Sequence, residues 1–139
     1  MGLLTFKGGI HPDDGKRFSK DQPIRPVVPQ GELVYPLSQH IGAPAKPVVK
    51  KGDCVLKGQL IAEAGGFVSS PIYSSVSGKV KGLEQRFNPT GSQVECIVVE
   101  NDGEYKEVEY EPVKPLEEMT REEIINKIGD AGIVGMGGA

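Results

Sequence analysis

The sequence predicts a mainly β chain with an extended proline-rich N-terminal segment and one short C-terminal helix. Three observations predict it. Short apolar pieces at Val48-Val49, Val55-Leu56 and Leu60-Ile61 alternate with turns at Lys51-Gly52-Asp53 and Lys57-Gly58-Gln59, the punctuation of tightly turning strands. Residues 93–100, Gln-Val-Glu-Cys-Ile-Val-Val-Glu, form the strongest β-propensity run in the chain. Finally, 19 Gly and 11 Pro among 139 residues leave room for many turns but few long helices.

The central stretch, 48–80, also carries a resemblance. Lys50-Lys51-Gly52-Asp53-Cys54-Val55-Leu56-Lys57-Gly58-Gln59, followed later by Ser77-Gly78-Lys79-Val80, resembles the lipoyl/biotinyl-carrier type of β domain. There a K-x-G-D-x-V-x-x-G-Q segment leads into a hairpin displaying a modified lysine. The fold this implies is a barrel-sandwich hybrid. No Lys occurs between Lys57 and Lys79, and the place where a carrier presents one reads Ala64-Gly65-Gly66-Phe67. A swinging arm needs a primary amine for its amide, so the scaffold is kept and the carrier chemistry is lost.

Taken in order, residues 5–47 hold seven of the eleven prolines; because proline fixes φ and removes a donor, this region is expected to be extended and to wrap more than it packs. Residues 13–17 read as an exposed loop. Residues 23–29 read as extended chain, with Ile24, Val27 and Val28 as contacts onto the core. The first strand is expected over 32–37, and 38–45 has too many breakers for regular structure. After Val80, residues 81–91 are expected to form a protruding loop with a turn at Asn88-Pro89-Thr90-Gly91, and Phe87 to cover the barrel end. The strand over 93–100 is joined by Asn101-Asp102-Gly103 to residues 104–110, read as the second arm of a hairpin and a charged edge. Pro112 and Pro115 break the β pattern. Thr120 and Glu123 then form a capping box opening a helix over 121–128, with Ile124, Ile125 and Ile128 as its apolar stripe and Gly129 as a left-handed stop.

Composition narrows the function classes. The net charge of −3 divides unevenly, with about +5 on residues 1–81 and −8 on 82–139. Such a split favours electrostatic docking to other subunits or simply two solvated faces, and it lacks the concentrated basic stripe of a nucleic-acid binder. Two cysteines, Cys54 and Cys96, are too few for a disulfide framework and read as structural thiols in a reducing cytoplasm. No apolar run reaches the roughly 18–20 residues that cross a bilayer. His11, His40, Cys54 and Cys96 are too irregularly spaced for a structural zinc site, which normally brings a close pair such as C-x-x-C. No catalytic residue and no metal ligand is assigned.

The last residues read Ala131-Gly132-Ile133-Val134-Gly135-Met136-Gly137-Gly138-Ala139. Bare backbone amides can approach phosphate oxygens, but the loop is expected to do so mainly where it opens a helix. Three segments together are similar to one family, the NADH-binding C subunit of the Rnf electron-transport complex (RnfC). They are Lys7-Gly8-Gly9-Ile10-His11-Pro12, the run Pro36-Leu37-Ser38-Gln39-His40-Ile41-Gly42-Ala43-Pro44-Ala45, and the K-x-G-D-x-V-x-x-G-Q barrel. The run 135–139 resembles the start of the G-x-G-G-A-G-F-P motif that this family shares with the NADH-binding subunit of respiratory complex I.

The resemblance implies three parts: an extended N-terminal segment over 1–31, a barrel-sandwich hybrid over 32–111, and over 112–139 a linker, the helix and the start of a Rossmann-like FMN/NADH domain. It implies an N-terminal portion of a longer subunit whose FMN, NADH and two [4Fe-4S] clusters are bound further on. Gly135, Gly137 and Gly138 would then be cofactor contacts only in the intact subunit. The implied activity is electron transfer between NADH and ferredoxin coupled to Na⁺ or H⁺ translocation. The subunit would sit peripherally on the cytoplasmic face of the bacterial membrane, with the other Rnf subunits as partners and ferredoxin as an indirect one. This part alone is expected to be inactive, as a scaffold and docking module. The competing readings are an unmodified lipoyl/biotinyl-like carrier, an export-system adaptor on the same scaffold, and a metal-binding module.

Overall fold

The computed structural model describes residues 12–88 and 90–135. Along the chain lie β1 (Glu32–Pro36), β2 (Lys46–Pro47), β3 (Cys54–Val55), β4 (Leu60–Glu63), β5 (Ile72–Tyr73), β6 (Gly78–Phe87), β7 (Gln93–Asn101) and α1 (Arg121–Asp130). Two antiparallel sheets form, in the orders β1-β7-β6-β3 and β2-β4-β5. One core joins them: Tyr35, Val55, Val80, Ile97 and Val99 from the first sheet meet Ile61, Ala62 and Ile72 from the second. This is the expected barrel-sandwich arrangement, and it positions everything that follows.

β7 is central in its sheet and buried on both faces. Ile97 and Val99 point into the core, while Cys96 and Val98 alternate with them onto the opposite face and are just as buried. On the strands flanking β7, Lys81 pairs with Glu32, and Arg86 bridges Glu84 at 2.6 Å and Glu32 at 3.8 Å. These pairs are exposed to solvent and screened by it, so the apolar residues of β7 carry the stability there. Burial pushes the Cys96 thiol pKa up, and the Lys81 ammonium holds the Glu32 carboxyl below its usual range.

Several sequence expectations are corrected. Residues 81–87 are not loop: they continue β6, whose register with β7 runs from Gly78↔Asn101 to Phe87↔Gln93 with a bulge between Val80 and Gly82. The protrusion is therefore a hairpin. Its turn is held by Asn88 Oδ1, which accepts from the Thr90 and Ser92 amides. Pro89 lies outside the described residues. Phe87 is mostly exposed and is not among the residues packed against the core, because it lies at the far end of β6.

Residues 104–110 do not form a second arm against β7, because β7 already has β1 on one side and β6 on the other. The backbone instead turns away through left-handed Gly103 (φ 75°) and Tyr105 (φ 52°). It then meets the Lys57 turn as a parallel bridge, with Lys57 N–H donating to Lys106 O and Val108 N–H to Lys57 O. The Tyr105 hydroxyl anchors the turn by donating to Pro29 O. Ile24, Val27 and Val28 remain exposed rather than touching the core; the segment is tied down at Pro29 and Gly31, which accept from Asn101.

The turn around Ser77 gives a testable contact. Its buried hydroxyl donates to Asp102 Oδ1 at 2.7 Å and accepts from the Lys106 amide at 2.9 Å. That bond, followed by the Glu104 amide, holds the Asp102 carboxyl below its ordinary range. A depressed folded pKa contributes stability above the unfolded carboxylate pKa of about 4, and the contribution is lost as pH falls through the folded value. Ser77→Ala is therefore expected to lower the urea midpoint at pH 7, with the gap to wild type narrowing as pH falls below the unfolded carboxylate value of about 4. A gap independent of pH would rule out this linkage.

The capping box forms as expected: the Glu123 amide donates to Thr120 Oγ1 at 3.2 Å and the Thr120 amide to Glu123 Oε2 at 2.6 Å. The helix runs two residues past the expected end, to Asp130. Gly129 stays in the helix, and the left-handed residue is Gly132 (φ 68°). No α1 residue is buried, so the Ile124, Ile125 and Ile128 stripe is not packed into the core. Among the described residues no helix is long and apolar enough to cross a membrane.

Candidate functional site

The hairpin between β4 and β5 is the element that would carry a modified lysine in a carrier, and residues 64–71 contain none. It is also not a free arm. The Gly65 amide donates to Ser69 Oγ at 2.8 Å, and that hydroxyl donates onward to Ala43 O at 2.8 Å. The Ala43 amide donates to Val68 O at 3.0 Å, and the Ser70 amide to His40 Nε2 at 3.0 Å. Thus the segment 38–45 is irregular as expected, and its residues 39–45 are folded as a clamp on the hairpin. The glycines explain the closeness: a Cβ on Gly42 would stand 2.1 Å from Val68 O, and one on Gly65 1.9 Å from Pro44 O.

His40 is thereby fixed by hydrogen bonds, with Nε2 accepting from Ser70 and Nδ1 3.0 Å from Ile41 O. Both ring nitrogens face backbone groups. Behind the clamp, the Tyr35 hydroxyl lies 2.9 Å from Ser75 Oγ and accepts from the Ser75 amide at 3.0 Å, locking β1 to the chain after β5.

A cleft of about 320 Å³ opens beside the clamp, between Gln39, His40, Ser70 and Tyr73 on the barrel and Gly132 and Val134 after the helix. The Tyr73 hydroxyl donates to Asp130 O at 2.5 Å, and Gly132 sits so close that a Cβ there would be 2.7 Å from Pro71 O. Burial, and then the Asp130 charge, raise the Tyr73 pKa above its ordinary value. The glycine-rich stretch thus leaves α1 against β5. Gly135 is exposed near this cleft's rim residue Val134, whereas Gly137 and Gly138 lie outside the described residues, as does the element 7–11.

Sequence reasoning did not single out Ser69, Tyr73 or Tyr35. Ser69 and Tyr73 act on residues 26 and 57 positions away, a separation at which no local pattern is visible. Cys54 is exposed on β3 rather than a packed thiol, while Cys96 is buried on β7.

Comparison with known proteins places these features. A family model described as the RnfC barrel sandwich hybrid domain matches residues 4–104. The C subunit of the proton-translocating ferredoxin:NAD(+) oxidoreductase complex of Clostridium ljungdahlii is 45% identical over 138 residues, 99% of this chain and 30% of that protein. The Na(+)-translocating counterpart of Acetobacterium woodii is 43% identical over 136 residues, 97% of this chain and 31% of that protein. The C subunit of the ion-translocating oxidoreductase complex of Rhodobacter capsulatus is 41% identical over 138 residues, 98% of this chain and 27% of that protein. The chain spans less than a third of the length of these curated relatives. With that match across the barrel and these identities over almost its whole length, the chain belongs to the RnfC barrel-sandwich-hybrid family.

Proposed function

We propose that this chain is the scaffold and docking part of a peripheral subunit, on the cytoplasmic face of a bacterial membrane, in a complex that passes electrons between NADH and ferredoxin while moving Na⁺ or H⁺. The observation that carries the reading is the clamped, lysine-free β4–β5 hairpin. A carrier arm must present an amine and swing; this one presents none and is tied to the 39–45 loop by three hydrogen bonds, through Ala43 O, the Ala43 amide and His40. The relatives' names as C subunits of ion-translocating ferredoxin:NAD(+) oxidoreductase complexes support the electron-transfer context.

The described residues do not fit the redox groups themselves. Two cysteines, one solvent-facing and one buried, cannot supply the thiolates of a [4Fe-4S] cluster. No electron-transfer step is therefore assigned to this part. Its contribution is positional: the Tyr73 to Asp130 bond and the seat of Gly132 on Pro71 fix where the glycine-rich stretch leaves the barrel.

Two measurements test this. Affinity-tagged chain coexpressed with the other members of the complex is expected to retain them, and failure to retain any would defeat the docking role. Titrating the isolated 139 residues with FMN and with NADH is expected to leave flavin and nicotinamide fluorescence unchanged. Saturable quenching would show that the part binds cofactor by itself.

A further inference from the structure

One end of the clamp hangs on a bond that a proton removes. The Ser70 N–H can only donate and the Ile41 carbonyl can only accept, so Nε2 of His40 is the bare, accepting nitrogen and Nδ1 carries the hydrogen. The other end is closed by the Ala43 amide on Val68 O and by the Ser69 hydroxyl on Ala43 O, groups that do not titrate. His40 and Ser70, with Gln39, also form the barrel side of the cleft whose opposite wall is Gly132 and Val134.

We infer that His40 is a proton-operated latch: uptake of a proton at Nε2 breaks the Ser70 bond, releases residues 39–41 from the hairpin and widens the cleft, while the Ala43 end stays closed as a hinge. Bond and cation exclude each other. A protonated Nε2 is a donor, and it then faces a second donor, the Ser70 N–H, with no acceptor between them. The proton comes from solvent, which reaches the half-buried ring without unfolding, and no covalent bond of the chain changes. Imidazole is the side-chain group whose charge ordinarily changes between about pH 5 and pH 8. The titratable groups on the elements around the ring are Tyr35 on β1, Tyr73 on β5 and Asp130 at the end of α1. Asp130 is the one anion among them, and its charge reaches Tyr73 on the cleft wall. No described Lys or Arg lines the cleft to repel an imidazolium. The state of the latch is therefore felt where the glycine-rich stretch leaves the barrel.

In the 139-residue chain the other histidine is His11, so imidazole nitrogen NMR reads the tautomer and protonation of His40 directly. The chain is titrated from about pH 8 to about pH 5 while amide exchange, corrected for its intrinsic pH dependence, is followed at Ser70 and Ala43. The neutral ring is expected as the Nδ1–H tautomer. Ser70 protection is expected to fall about tenfold with the same midpoint as ring protonation, while Ala43 protection holds within about twofold. His40→Gln keeps an acceptor that takes up no proton, and Ser70 protection in that variant is expected to be flat across the range. A neutral Nε2–H tautomer would overturn the latch, as would a ring that protonates with no change at Ser70 or one that stays neutral down to about pH 5. A fall at Ser70 that persists in His40→Gln would assign the acid opening to another group and overturn it too. Equal loss at Ala43 would show the whole clamp unfolding, with no hinge, and would also sink the proposal.

Discussion

Gly42→Ala is expected to destabilise the isolated chain by about 3 kcal/mol, through left-handed strain added to overpacking. Gly42 has φ 111°, a conformation L side chains rarely adopt, and its Cβ would meet the Val68 carbonyl at 2.1 Å. The neighbour is backbone, so it cannot rotate aside. Relief would require opening the clamp and with it the Ala43 to Val68 and Ser70 to His40 hydrogen bonds. Small domains have only about 5–15 kcal/mol in total, so the melting temperature should fall by about 10 °C. Gly31→Ala provides the comparison: φ is 68° there, but a Cβ would meet nothing within 4 Å, and the expected cost is about 1 kcal/mol. Equal urea midpoints for the two variants would show that the clamp is loose.

Ile97→Ala should be costlier still, at about 4 kcal/mol, because it removes a fully buried side chain and leaves a cavity that β7 cannot collapse into. β7 is held on both sides by hydrogen-bonded neighbours and buried on both faces, so its backbone has nowhere to move. Leu83 is the cross-strand partner of Ile97 and lies on the same face, but it is half-exposed where β6 leaves the core. Leu83→Ala is expected to cost less than about 1.5 kcal/mol. Chemical denaturation of both variants tests the boundary of the core: similar losses would mean that the core extends along the hairpin.

The contrast between Ile97 and Leu83 also shows what was legible in advance. The β-rich run that becomes β7, the strand that becomes β1 and the capping box opening α1 were all readable, because each depends on local composition and spacing. The 81–87 segment was not. Its sequence Lys-Gly-Leu-Glu-Gln-Arg-Phe is polar enough to pass for loop, and it is strand because β7 lies alongside to take its hydrogen bonds. Residues 104–110 failed in the opposite direction. Their alternation suited a strand, yet β7 had no edge left to pair. Gly129 looked like the helix stop, but a helix tolerates a glycine near its end, and the chain turned only where Gly132 could seat on Pro71.

By itself the sequence determined the β class, the barrel motif, the missing carrier lysine and the family, since these reside in residue identity and short-range order. The tertiary structure decided that the 39–45 loop is a clamp, that Tyr73 and Gly132 hold the departing chain against β5, and that Phe67 is left bare at the tip. The physical reason is distance along the chain. The clamp bond from Ser69 to Ala43 spans 26 positions and the Tyr73 bond to Asp130 spans 57, and such partners are chosen by how two sheets close over one core.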